Sequence, residues 1–213
     1  MIRALVAAAL SLSIATSVPA QVLDNERGER RAADRAVGAN EADQQTPPAD
    51  PRDVATPKSV VKAMYETLSG RAGEARNWNR FRSLMAPDAR FITESVAADG
   101  SVRRRALGVE DLITSNNKAF ATQGFFEHGV IARDEVWAHF AMVVTPYESR
   151  HAPGEAPFAR GIKHVELTSD GKRWFIESIV WERETAAFPL SPTAAAALKG
   201  RHEEDKDPLP FVL

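Results

Sequence analysis

The sequence predicts an α+β fold, with helices leading into a long run of strands, and two observations predict it. Val60, Val61, Met64, Tyr65 and Leu68 recur at helical spacing. From Ala89 onward, strand-length segments rich in apolar and β-branched residues are punctuated by Asp99-Gly100, His151-Ala152-Pro153-Gly154 and Ser169-Asp170-Gly171. Strands joined by such short turns pair antiparallel, and helices then cover one face of the sheet.

Each element has its own local cause. Thr56 caps a helix that Pro57 opens and Gly70 stops, so residues 57–68 are expected to be helical. A second short helix is expected around Trp78, Phe81, Leu84 and Met85, ended by Ala86-Pro87. Ala89 to Val96 and Val102 to Leu107 read as a hairpin about Asp99-Gly100. Leu112, Ile113 and Phe120 define a third helix from about Val109 to Ala121. Four strands follow: Phe125 to Arg133, Glu135 to Tyr147, Gly161 to Thr168 and Arg173 to Glu182.

Around this domain the chain divides by composition. Arg3, the apolar run Ala4 to Ile14 and Val18-Pro19-Ala20 read as a cleavable signal peptide over residues 1–20, which implies a periplasmic or secreted protein. The apolar run is shorter than a membrane span, so no stable membrane insertion is expected. Residues 21–53 hold no aromatic residue and no isoleucine, and read as a disordered linker. The domain proper is placed at 54–185, and 186–213 form a C-terminal tail with an alanine-rich helical turn near Thr193 to Lys199.

Charge and composition remove several functions. The 213 residues carry 27 Lys plus Arg against 29 Asp plus Glu, a net charge of −2, so the electrostatic attraction of a general nucleic-acid binder is missing. The chain has no cysteine, which excludes disulfides, thiolate metal sites and cysteine nucleophiles. No glycine-rich dinucleotide or phosphate loop occurs, and no cofactor is expected.

Several separated stretches resemble the nuclear transport factor 2-like superfamily, which includes the SnoaL-like cyclases and the ketosteroid isomerases. They are Ser59 to Tyr65, Asn77 to Met85, Gly124 to Glu127, Tyr147 to Arg150, Pro157 to Ile162, Asp170 to Trp174 and Ser178 to Trp181. The resemblance spans about residues 57–185 and points to an uncharacterised exported bacterial branch. It implies a cystatin-like cone: three N-terminal helices packed on a strongly curved, mostly antiparallel sheet, with a pocket between them and dimerisation through the outer face. Against the ketosteroid isomerase pattern, Met64 takes the helix-1 tyrosine's place with Tyr65 one residue further. The base position falls on Thr93, beside Glu94.

The candidate site residues follow from this reading. His139 and His164 lie on expected neighbouring strands, and with Glu94 they are the candidate general bases. A metal site of His139, His164 and Glu166 is conceivable, though no close-spaced ligand pair supports it and no metal is expected. Tyr65, Trp78, Tyr147, Arg160 and Trp181, with the two histidines, are the candidate ligand-binding residues of an apolar pocket. Arg150 or Arg160 is placed either to pair with Glu148 or to meet a ligand carboxylate. Both sheet faces are largely apolar, so a second copy is expected to cover one of them in a homodimer.

Three functions stay open at this point. The first is an exported, non-catalytic domain that binds a small apolar or amphipathic molecule. The second is a small lyase, isomerase or hydrolase, and the third is an oligomerisation module. The fold itself hosts both enzymes and non-enzymes.

Overall fold

The structure, a computed structural model, describes residues 47–96 and 100–204. The expected signal peptide, linker residues 21–46 and the apolar end at 208–213 lie outside the described residues. Pro57 opens helix α2 (Pro57–Leu68), and the Thr56 side chain accepts from the Ser59 N–H at 3.1 Å while the Ser59 hydroxyl returns the bond to the Thr56 backbone. A single turn, α1 (Pro51–Val54), precedes it, capped by Asp50. Asp53 of that turn accepts from Arg80 at 2.6 and 2.8 Å, so order begins inside the stretch that composition assigns to linker. Asn77 caps α3 (Trp78–Ser83), and the chain passes directly into β1 (Met85–Val96). Pro87 therefore sits in the irregular start of a strand rather than after a helix, where β1 breaks register with its neighbour between Met85 and Arg90.

The β1–β2 hairpin (β2, Val102–Leu107) comes before the helix α4 (Val109–Phe120), so among the described residues α1, α2 and α3 precede the sheet and α4 interrupts it. Then come β3 (Phe126–Gly129), β4 (Arg133–Trp137), β5 (Phe140–Arg150), β6 (Ala159–Ser169) and β7 (Trp174–Arg183). The long strand expected over Glu135 to Tyr147 is broken at Ala138-His139, where Ala138 takes a φ of 51°. Such turns favour Gly or Asn, and with alanine there the sequence carries no turn signal.

The sheet has the order β2-β1-β7-β6-β5-β3, with β4 also on β5, so β3 and β4 run one after the other along a single edge of β5. Among the described strands only the β1–β7 pair is parallel. Strand alternation gives the sheet an inner face, on which Phe91, Val143, Val165, Ile176 and Ile179 pack with Val60, Val61 and Met64 of α2. Phe81 of α3 stacks on Phe91 at 5.9 Å between ring centres.

The tail contributes an element of its own, α5 (Pro192–Glu204), which lies against β5. Its Ala194 and Leu198 are buried but lie apart from the core cluster. Pro146 and Glu148, which alternate away from the core, are buried as well. This places α5 on the outer face, over part of the surface that the sequence assigns to a second copy.

Candidate functional site

Across the inner face, strand register lines side chains up in rows. Thr93, Trp181, Lys163 and Thr145 form one row from β1 to β5. The next runs Arg183, Gly161, Tyr147, Gly129, and the third contains Ala159, Ser149 and Glu127. The middle of this face is polar. Lys163 Nζ donates to Glu127 Oε2, and Ser149 Oγ donates to Glu127 Oε1 at 2.9 Å. Lys163 is 7 % exposed and Glu127 8 %, so the pair is held almost out of water.

Two tyrosines enclose the ammonium. Its nitrogen lies 4.8 Å from the centre of the Tyr65 ring and 4.5 Å from that of Tyr147, a distance at which both π-faces stabilise positive charge. Tyr65 OH shares a hydrogen bond with Thr145 Oγ1 at 3.2 Å. Tyr147 shares a row of the face with Arg183, with only Gly161 between them. Glycine makes this packing possible, because a Cβ on Gly129 would overlap Tyr65 and Thr145, and one on Gly161 would overlap the Glu182 carbonyl and crowd Tyr147.

Desolvation dominates the electrostatics. Burial pushes the Lys163 ammonium below its ordinary value, and Glu127 pulls it back up. Burial, then the Glu127 charge, raises both tyrosine hydroxyls well above theirs, so both stay protonated donors at neutral pH. The cluster thus combines a carboxylate, an ammonium and two phenolic donors in a nearly dry setting, which is the composition of an acid–base site.

The expected site residues divide between the two faces. Tyr65, Tyr147 and Trp181 lie on the inner face, the first two in direct contact with Lys163. Trp78 packs between α3 and α4 instead, against Phe81 and Phe120, and donates to Asn117 at 2.7 Å. His139 is in the exposed β4–β5 turn, because that turn falls where a strand was expected. His164 and Glu94 alternate to the outer face, and His164 is exposed there. Arg160 pairs with Glu184 at 2.7 Å, while Glu148 is shared by Arg150 and by His128 at 3.4 Å, so both arginines hold chain segments together. His139, His164 and Glu166 are not gathered, and Glu166 bonds Ser178 at 2.9 Å. Among the described residues no group of three His, Asp or Glu is placed to hold a metal ion. None of their helices is long and apolar enough to cross a membrane.

Two surface grooves accompany the cluster. One, of about 430 Å³, runs between α1, α2 and α3 and is lined by Asp50, Asp53, Lys62, Glu66 and Arg80, charges that pair with one another or with Arg52. The other, of about 320 Å³, lies beside Arg82, Pro87, Arg90 and Glu110.

No protein-family profile matches the chain. Among curated proteins it is similar to "Probable cyclase FGR4" of Gibberella zeae, with 28% identity over 123 residues, 53% of this chain and 82% of the relative. Among solved structures it is similar to nuclear transport factor 2-like and cystatin-like-fold proteins. One is a cystatin-like domain of unknown function from Nostoc punctiforme, with 16% identity, TM-score 0.43, and 70% of this chain and 96% of that one covered. An NTF-2-like protein of unknown function from Silicibacter pomeroyi has 15% identity and TM-score 0.43, covering 61% and 94%. A second cystatin-like protein from Nostoc punctiforme has 9% identity and TM-score 0.46, covering 61% and 89%.

Proposed function

We propose that the protein is a small acid–base enzyme that moves a proton next to a carbonyl group, in the manner of a cyclase or isomerase, with Glu127, Lys163, Tyr147 and Tyr65 as its machinery. The observation that carries this reading is the buried Glu127–Lys163 pair enclosed by two protonated tyrosines. When a carbonyl oxygen arrives, Lys163 transfers its donor to that oxygen and frees Glu127 Oε2. Glu127 then takes the proton from the adjacent carbon, the C–H electrons form the enolate C=C bond, and the ammonium balances the negative oxygen. Tyr147, next to Lys163 on the face, is the second donor. The name of the curated cyclase relative is consistent with such chemistry.

The remaining expectations belong to the same proposal. Helices α2 to α4 over the inner face form the cone of a nuclear transport factor 2-like domain, residues 1–20 export it to the periplasm or medium, and the outer face left uncovered by α5 meets a second copy. A second reading, ligand binding without turnover, is favoured by one observation: both Glu127 oxygens already accept hydrogen bonds. Hydrogen–deuterium exchange of the α-protons of 4-phenyl-2-butanone, followed by NMR in D2O, separates the two. Exchange above the buffer rate that disappears in E127Q supports the enzyme, and saturable binding with no exchange supports the binding module.

A further inference from the structure

We propose that Arg183, Arg105 and Arg103 form the anion-recognition end of the interior site, so that its substrate is a carbonyl compound that also bears a carboxylate. This rests on the acid–base reading and specifies its substrate class. The inference comes from strand register. Phe91 and Leu107 face the core together, so their partners two and four residues along, Thr93 with Arg105 and Ser95 with Arg103, lie on the same inner face. Trp181 pairs with Thr93 on the other side, and Arg183 follows two residues later on that face. Arg104, Glu94 and Glu182 alternate outward.

The three arginines therefore share one face and one end of it, beside the Lys163 row. Six other arginines, at 52, 80, 82, 133, 150 and 160, each pair with a carboxylate. None of the ion pairs among the described residues involves Arg103, Arg105 or Arg183, and all three are exposed. Glu127 on the inner face is already paired with Lys163, and Glu184, which follows Arg183, is paired with Arg160. In a chain of net charge −2, this end of the face is left positive. A guanidinium fork matches a carboxylate bidentately, which makes such a cluster selective as well as attractive. Arg183 also shares a row with Tyr147, with only Gly161 between them, and so sets the anion end beside the donor that faces Lys163. From β2 to β6 is three strand spacings, about 14 Å, which extended arginine stems close in part. A compact keto acid fits that span, its carbonyl at Lys163 and its carboxylate over β1 and β7.

The test compares 4-oxo-4-phenylbutanoate with its neutral amide, 4-oxo-4-phenylbutanamide, by calorimetry on the full chain. The acid is expected to bind at least tenfold more tightly than the amide. That preference should vanish in R183Q and in the exposed pair R103Q/R105Q, whose circular dichroism reports retained folding, and it should shrink with added salt. E127Q should keep the preference while losing α-proton exchange. Equal binding of acid and amide by the wild type, binding of neither, or a preference that survives both arginine variants overturns the proposal. Exchange of a neutral ketone together with equal binding would leave the acid–base reading standing and remove only the anion end. Acid preference without exchange would do the reverse.

Discussion

Among the described residues Glu127 and Lys163 pair only with each other, in a nearly dry place, and the cost of separating them is correspondingly large. E127A strands a buried ammonium and is expected to lose about 3–5 kcal/mol in urea unfolding, whereas an E127L/K163M double variant should recover most of that loss. Equal losses in both would show that packing rather than charge pairing sets the stability of this spot. The tyrosines make a second, pH-dependent statement. Their folded pKa values are raised above 10.0, so above that pH the unfolded chain sheds protons that the folded chain keeps, and stability falls as pH rises. Lys163, lowered from 10.5, acts with the opposite sign: its share is present above 10.5 and is lost as pH falls through the folded value. Above pH 10.5 the lysine contribution is complete while the tyrosine loss continues, so the melting temperature should drop as pH rises beyond 10.5, and Y65F should drop less. An identical slope in Y65F would contradict the assignment.

At the scale of elements, the helices α2 and α4 and the hairpin β1–β2 are readable because each has a local signal: the Thr56-Pro57 cap, the spacing of Leu112, Ile113 and Phe120, and the Asp99-Gly100 pair between two strand-like segments of the sequence. T56A should therefore cost about 1 kcal/mol. The break at Ala138-His139 was not readable, because alanine at positive φ leaves no mark in the sequence, and the misplaced turn carried His139 into the site list. Lys163 was missed for a related reason. It alternates with Gly161, Val165 and Leu167, all buried, but which parity faces the helices is decided by pairing with distant strands. A lysine among buried alternating positions was the available signal. The tail helix α5 rests on few contacts, chiefly Leu198, which is 1 % exposed. L198A should expose the chain after residue 186 to protease while leaving the melting of the sheet domain nearly unchanged. A large fall in melting temperature would mean that α5 belongs to the cooperative core.

For the molecule as a whole, the two faces of one sheet have different tasks. The inner face holds the polar cluster, and the outer face divides between α5 and a partly apolar strip containing Ile92, Val144 and Val180, with Phe140 exposed at its end. If that strip meets a second copy, light scattering should find a dimer that V180E converts to a monomer without loss of α-proton exchange. A wild-type monomer would remove the dimer from the account. The central claim is independent of assembly: a proton next to a carbonyl is exchanged by Glu127 with help from Lys163. The α-deuteration rate of 4-oxo-4-phenylbutanoate, measured by NMR for the wild type and E127Q, tests it most directly. The account predicts a wild-type rate well above buffer and a fall of about 10²–10⁴-fold in E127Q. Equal rates in the two proteins would contradict it.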